Sequence, residues 1–566
     1  MKPIIEIKNV TYQYPGADKP VLNNVTLTIE KGEFTAILGG NGSGKSTLCK
    51  LINGLIPHYY VGDFSGEVIV NGMNTAEHKV AELSRHTGYV YQDFENQIVS
   101  PKVLEDAEFA PLHYGLADYR ERALHALELV GLLEQQDNFI WQLSGGQKHL
   151  LALASILSLN PEIIIIDEPV AQLDPQHAKE IYEILKKLND VHGKTIIVIE
   201  HHTEFVASYA KNVILMNKGD VHFKKPVKEA LNEVKTLLAH QIYPPQVTQA
   251  AADMEMSSNL PITIDEALPL FQGMRELEEK KVINRHTGDK PLVVFEDVTF
   301  SYKTITKEKN RVLHDLNLTI YEGDYIALVG NNGAGKSSLM RLITGLVKQE
   351  SGHIEVNGNN ARKTAPEHLA EIVTYIHQNP EQMFIDDSVK KDVGFYMKAR
   401  KDPMAEEKVA ELLNQFELVE LADRDSRLLS GGQQRRASLA IGVGMQPKIM
   451  LLDEPTANLD IATRKHITRI LVDLKQQLQA VVIATHDMQL ACEFANRIIV
   501  MHEGNIIHDG TKESVFENYT LLEKAGLTPP QIFELSRSLG WENPVYTVEA
   551  FVELYRRKAV SDGVYA

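Results

Sequence analysis

The chain has 566 residues, 43% of them hydrophobic and 24% charged. That is the balance of a folded globular protein, with length for three or four compact units at about 150 residues each. Its 58 Lys and Arg against 76 Asp and Glu leave a net charge of −18, which argues against bulk binding of nucleic acid through its phosphates. Two cysteines, Cys49 and Cys492, are too few for a disulfide framework, a Cys-based zinc site or a four-Cys iron–sulfur cluster.

The opening Met1-Lys2-Pro3-Ile4-Ile5-Glu6 meets a carboxylate before any apolar stretch develops, so no export signal is expected. Apolar runs such as Ile163 to Ile166 fall far short of the ~20 residues of a membrane helix. The expectation is a cytosolic protein, or one held at a membrane only by a partner. Phe34 to Leu38 predicts a strand that runs into Gly39-Gly40-Asn41-Gly42-Ser43-Gly44-Lys45-Ser46, with a helical run from Leu48 to Ile52 behind it. This is G-x-x-x-x-G-K-[ST] in the strand–turn–helix setting it requires. Gly39, Asn41, Gly42 and Gly44 would turn backbone N–H groups onto phosphate oxygens at a helix N-terminus. Lys45 would reach the β- and γ-phosphates, Ser46 would ligate Mg²⁺, and Thr47 completes the cradle.

Further on, Ile163 to Ile166 predicts a buried parallel strand, unbroken by polar residues. Asp167 at its end can hold Mg²⁺, and Glu168 can polarise an attacking water. Thr195 to Ile199 adds another strand. Strands alternating with helices point to an α/β fold with a largely parallel sheet.

The chain then repeats itself. Leu143-Ser144-Gly145-Gly146-Gln147 recurs 286 residues later as Leu429-Ser430-Gly431-Gly432-Gln433, and Asp167-Glu168-Pro169 recurs at the same offset as Asp453-Glu454-Pro455. Tyr325 to Val329 leads into a second phosphate loop with Gly330, Asn332, Gly333, Gly335, Lys336, Ser337 and Ser338, then a helical run from Leu339 to Ile343. Ile449 to Leu452 and Ala480 to Ala484 repeat the strands. The first half is longer in the Pro57 to Asp63 region, and Pro244-Pro245-Gln246 returns as Pro529-Pro530-Gln531. The expected organisation is a cassette at 1–235, an appendage at 236–274, a charged linker at 275–290, a second cassette at 291–519 and a second appendage at 520–566.

The Leu-Ser-Gly-Gly-Gln segments, with the phosphate loops and Asp-Glu pairs, make both halves resemble the ATP-binding-cassette (ABC) ATPases. The resemblance implies two P-loop domains, each with a largely parallel sheet core, a helical signature subdomain and a small C-terminal appendage. It further implies ATP and Mg²⁺ as ligands, with two composite sites formed head to tail. Ser144, Gly145, Gly146 and Gln147 would then close over nucleotide on Lys336, and Ser430, Gly431, Gly432 and Gln433 over nucleotide on Lys45. By the same resemblance Tyr14 and Tyr302 stack on adenine, and Gln92 and Gln378 sense Mg²⁺ and a transmembrane partner. Glu168 and Glu454 act as bases, His201 and His486 contact the γ-phosphate, and Asp174 and Asp460 sit in the loop joining the sites. One departure stands out: the Arg three residues past the signature Gln is present as Arg436, whereas the first half has Leu150.

Gln92 to Gln97, Gln378 to Gln382, the Pro-Pro-Gln appendages and the fused double cassette resemble the energy-coupling-factor and cobalt-type importer ATPases. That likeness implies a motor peripheral to the cytoplasmic face of the cell membrane, with a transmembrane coupling subunit and a substrate-binding membrane subunit as partners. Asp93, Glu95 and Glu381 would face the coupling helices. Cargo, a vitamin, its precursor or a metal ion, would be bound by those subunits. The rival is a soluble tandem-cassette ATPase acting on the ribosome, which would carry a long basic helical arm. Pro244, Pro245 and Pro261 would break such an arm, and the chain is acidic.

Overall fold

The computed structural model describes residues 3–170, 173–256, 259–272, 288, 290–303, 309–457 and 459–561. Apart from residues 288 and 290, the expected linker at 275–290 lies outside the described residues. The chain divides into two compact units. The first contains the first cassette together with the stretch from Gln531 onward, and the second contains the second cassette.

In the first unit a six-stranded sheet carries Phe34–Leu38 at its centre, between Thr195–Ile199 and Asn212–Asn217. Ile163–Asp167 and Thr87–Val90 continue it on the Thr195 side, all in parallel, and only Asp220–Pro226 runs antiparallel at the far edge. Every residue of Phe34–Leu38, Ile163–Asp167 and Thr195–Ile199 is buried, as strands covered on both faces must be. The second unit repeats this sheet with Tyr325–Val329 between Ala480–Ala484 and Arg497–His502, and Ile449–Asp453 and Val373–Ile376 beyond. The expected parallel core is therefore present twice.

Each unit also holds a four-stranded antiparallel sheet that the sequence reading did not single out. In the first unit it orders Leu22–Glu30, Pro3–Gln13, Asp63–Val70 and Met73–Asn74; in the second, Lys309–Tyr321, Pro291–Lys303, Ser351–Val356 and Asn359–Asn360. The signature subdomain packs Val103–His113, Tyr119–Leu129 and Gly145–Leu157 in the first unit, and Val389–Ala399, Ala405–Gln415 and Gly431–Gly444 in the second.

Both appendages contribute to one small core in the first unit. Val247, Ala251 and Phe271 pack with Ile532, Leu535, Trp541 and Phe551, and the Phe551 ring stacks on Trp541 at 5.0 Å. The repeated Pro-Pro-Gln explains part of the fit. Gln531 Oε1 accepts the Val247 N–H at 3.1 Å, and Gln246 Oε1 accepts the Ile532 N–H at 2.9 Å. Each glutamine thus satisfies a free donor in the first turn of the other's helix.

Candidate nucleotide-hydrolysing sites

Sheet order brings the chemistry together. The parallel strands Phe34–Leu38, Thr195–Ile199 and Ile163–Asp167 are adjacent, so their carboxyl ends set the glycine loop, His201 and the Asp167-Glu168 pair side by side, where open α/β sheets bind ligands. The second unit does the same for its own loop, His486 and Asp453-Glu454.

In both phosphate loops the helix starts at a glycine in the left-handed region, Gly44 with φ 98° and Gly335 with φ 101°. A side chain there would be strained, and at Gly330 a Cβ would lie 2.1 Å from the Met501 carbonyl oxygen. Lys45 Nζ folds back onto the Gly39 and Gly40 carbonyls at 2.8 and 3.0 Å, and Lys336 onto those of Gly330 and Asn331 at 2.7 and 3.1 Å. Burial lowers the Lys45 pKa from its usual value, opposed by the charges of Glu168 and Asp167. Asn41, Gly42, Asn332 and Gly333 form the exposed lips, while Thr47 and Ser338 are buried. Tyr14 and Tyr302 stand beside the loops, with hydroxyls 3.3 Å from Thr47 Oγ1 and 3.4 Å from Ser338 Oγ.

Ser46 hydrogen-bonds Asp167, an all-oxygen pair of the kind that hard Mg²⁺ prefers. The Tyr89 hydroxyl donates to Asp167 Oδ2 at 3.0 Å, and that of Tyr375 to Asp453 Oδ2 at 2.6 Å. These tyrosines were missed from the sequence. Both lie three residues before the loop glutamine, a register that could have found them.

Glu168 and Glu454 have φ of 55° and 45°, the left-handed region that a glutamate rarely adopts. Their N–H groups are pinned to the neighbouring strand, at the Ile199 and Ala484 carbonyls. The two histidines of His201-His202 separate by geometry: His201 Nε2 lies 3.2 Å from Glu168 Oε1, while His202 Nδ1 lies 2.9 Å from Glu200. In the second unit His486 Nδ1 is 3.0 Å from Glu454 Oε2. Gln92 Nε2 donates to Glu168 Oε2 at 2.8 Å. The Gln378 side chain is exposed, and its backbone carbonyl is the part engaged.

The signatures begin their helices with capping boxes. Ser144 Oγ accepts the Gln147 N–H and Gln147 Oε1 accepts the Ser144 N–H, and Ser430 and Gln433 do likewise. The two glycines differ. A Cβ on Gly145 or Gly431 meets nothing within 4 Å, but on Gly146 it would lie 2.8 Å from His177 Cδ2, and on Gly432 2.7 Å from Thr463 Cγ2. His177 is itself fixed, its Nδ1 2.7 Å from Asp174 Oδ2.

The departure at Leu150 does not reach these groups. Arg436 Nη1 donates to the Phe416 and Glu417 carbonyls and to Glu417 Oε2, tying two helices together, and Leu150 fills its place in an apolar core. Of the acidic residues expected to face partners, Glu95 is exposed and its Oε1 pairs with Lys148 Nζ at 2.7 Å. Asp93 and Glu381 remain exposed. No helix of the described residues is long and apolar enough to cross a membrane.

Known proteins bear on this arrangement. The family described as ABC transporter matches residues 22–171 and 313–457. A protein of Methanosarcina acetivorans, provisionally named an ABC transporter ATP-binding protein, is 33% identical over 574 residues, covering 96% of this chain and 92% of its own. A similarly named protein of Caldanaerobacter subterraneus subsp. tengcongensis is 32% identical, covering 98% of this chain and 99% of its own. Among solved structures, cbiO1 from Clostridium perfringens, described as part of the ABC transporter complex cbiONQ, is 31% identical. It covers 42% of this chain and 96% of its own, with a TM-score of 0.38.

Proposed function

The chain belongs to the ABC transporter family as an ATPase with two fused cassettes that binds ATP and Mg²⁺, and from that premise we propose that it is the motor subunit of an energy-coupling-factor-like importer. The observation that carries the transport reading is a set of exposed apolar side chains that follows the Gln loop in each half. Val99, Phe109 and Trp141 are 60%, 40% and 67% exposed in the first unit, and Ile385, Phe395 and Leu428 are 58%, 38% and 85% exposed in the second. Val99 with Ile385, and Phe109 with Phe395, stand at the same repeat offset. Apolar side chains kept at the surface in both copies suit a partner that touches both. The partners are a transmembrane coupling subunit and a substrate-binding membrane subunit, which hold the chain at the cytoplasmic face of the cell membrane.

On this reading cassettes 1–235 and 291–519 perform the hydrolysis, and appendages 236–274 and 520–566 stand outside it. Ser46, Asp167 and Gln92, and Ser337, Asp453 and Gln378, are the groups that would hold Mg²⁺. When bound, the ion offsets charge developing on the transferred phosphoryl group. Lys45 and Lys336 bind the terminal phosphates, and Tyr14 and Tyr302 the adenine. Glu168 and Glu454 orient water and accept its proton as its oxygen attacks the γ-phosphorus, with ADP leaving. His201 and His486 hold those carboxylates in place and contact the γ-phosphate. Each signature, through Ser144 or Ser430 and the following glycines, completes the nucleotide site of the other cassette.

The test is affinity capture of the tagged chain from mildly solubilised native membranes. A stoichiometric multi-spanning partner is expected. Ribosomal proteins recovered from the soluble fraction, with no membrane partner, would overturn the transport reading and leave the ATPase standing.

A further inference from the structure

Two residues past Gln433 on the helix Gly431–Gly444, the side chain of Arg435 runs inward and is 2% exposed. Nη1 donates to the His377 carbonyl at 2.9 Å and Nη2 to the Gln378 carbonyl at 2.7 Å. Nη2 also reaches the Glu454 carbonyl at 3.4 Å. Three segments of one half meet on this guanidinium: the signature helix, the Gln loop and the turn that bears the catalytic carboxylate. Nε is buried without a hydrogen-bond partner, so the carbonyls on Nη1 and Nη2 carry the solvation of this buried cation, and their drifting apart would leave its charge uncompensated. The planar fork makes the arrangement directional, because its two nitrogens are spaced to hold adjacent carbonyls.

The first half places His149 at this register. It is 3% exposed and lies flat on Phe94, with ring centroids 4.5 Å apart and planes 3° from parallel. Its Nδ1 is buried without a hydrogen-bond partner. A ring stack resists sliding weakly and holds no backbone oxygen. The first-half Gln loop is tied to the base through the Gln92 side chain and to the signature helix through Glu95 and Lys148.

We propose that Arg435 is a positioning residue for ATP hydrolysis in the second half, fixing the Gln loop against the Glu454 turn and making both move with the signature helix. The first half lacks this backbone tie: there the Lys148–Glu95 ion pair at 2.7 Å and the Phe94–His149 stack, both between side chains, join the Gln loop to the signature helix. The inference rests on Glu454 being the base, and the experiment keeps the two apart.

The purified full-length chain is compared with Arg435→His, Arg435→Lys and Glu454→Gln for kcat, KM for ATP and thermal midpoint. Arg435→His is expected to lower kcat by about twofold if the first half continues alone, and by about tenfold if the sites must turn over together, with KM within about twofold. Lysine keeps the charge and one line of donation, so Arg435→Lys is expected to recover at least half of the lost rate and carries the test if the histidine variant does not fold. Wild-type kcat in Arg435→His, or a Lys variant as slow as the His variant with a matching fall in thermal midpoint, would overturn the positioning role. Wild-type turnover in Glu454→Gln would overturn the base itself. An inactive Glu454→Gln beside a fully active Arg435→His would overturn only the positioning role.

Discussion

In the first half the buried ion behind the reacting groups is Glu200, under the His loop; in the second it is Arg435, under the Gln loop. Glu200 Oε1 accepts the His201 and His202 N–H groups at 2.7 and 2.9 Å, and its Oε2 accepts the Tyr182 hydroxyl at 2.7 Å. The second half has Thr485 at this register, whose hydroxyl accepts only the Asp487 N–H at 3.0 Å. Meanwhile the groups that both halves keep are those nearest the chemistry: the left-handed glutamates, the Tyr–Asp contacts and the folded-back lysines. On the proposed roles, the repeat separates groups kept at both sites from supports that differ between them. Strain at Glu168 and Glu454 is paired with a fixed backbone N–H in both, whereas the means of holding the adjacent loops has diverged.

A tenfold effect is expected at the first half's signature glycines, and it tests the division of labour between them. A methyl on Gly145 meets no neighbour in the unliganded chain. Gly145→Ala should therefore leave the thermal midpoint unchanged while ATP hydrolysis falls about tenfold, through loss of close approach to nucleotide. Gly146→Ala should lower stability by about 1–3 kcal/mol, because His177 is fixed by Asp174 and cannot give way. Calorimetry beside a hydrolysis assay distinguishes the two. A stable but inactive Gly146→Ala, or a destabilised Gly145→Ala, would break the division of labour between the glycines.

A smaller effect sharpens the contrast at Glu200. Burial by itself would raise this carboxyl, but the His202 hydrogen bond and charge, the backbone N–H groups and the Tyr182 hydroxyl hold it at about 2. Its folded value is below the unfolded value of about 4.3, so its stabilisation is complete above pH ~4.3 and lost as pH falls toward 2. Between pH 5 and 3 the wild-type thermal midpoint should fall about 3–6 °C further than that of Glu200→Gln. Equal slopes for the two chains would remove Glu200 as the first half's anchor.

The phosphate loops, the Asp-Glu strands and the repeat were legible in the sequence because each is local: a glycine pattern, an unbroken apolar run, a constant offset. The antiparallel sheets were not, because their alternation is interrupted. Pairing of Pro3–Gln13 with Leu22–Glu30 shifts register between Ile7 and Val10, beside Asn9 at φ 50°, and the second copy shifts beside Asp297 at φ 47°. The Tyr89 and Tyr375 contacts were hidden by their apolar strand setting. The roles of Gln246 and Gln531 needed the fold, since each caps a helix hundreds of residues away. The importance of Arg435 over Arg436 was also invisible: both follow the signature, and only depth of burial and the carbonyls they reach separate them.

The most direct test of two working hydrolytic sites is ATP retention and turnover in the full-length Glu168→Gln, Glu454→Gln chain. Two ATP retained per chain, with turnover reduced by about a hundredfold or more, is the expected result. Turnover at the wild-type rate would contradict the assignment of both carboxylates and with it the account of the paired sites.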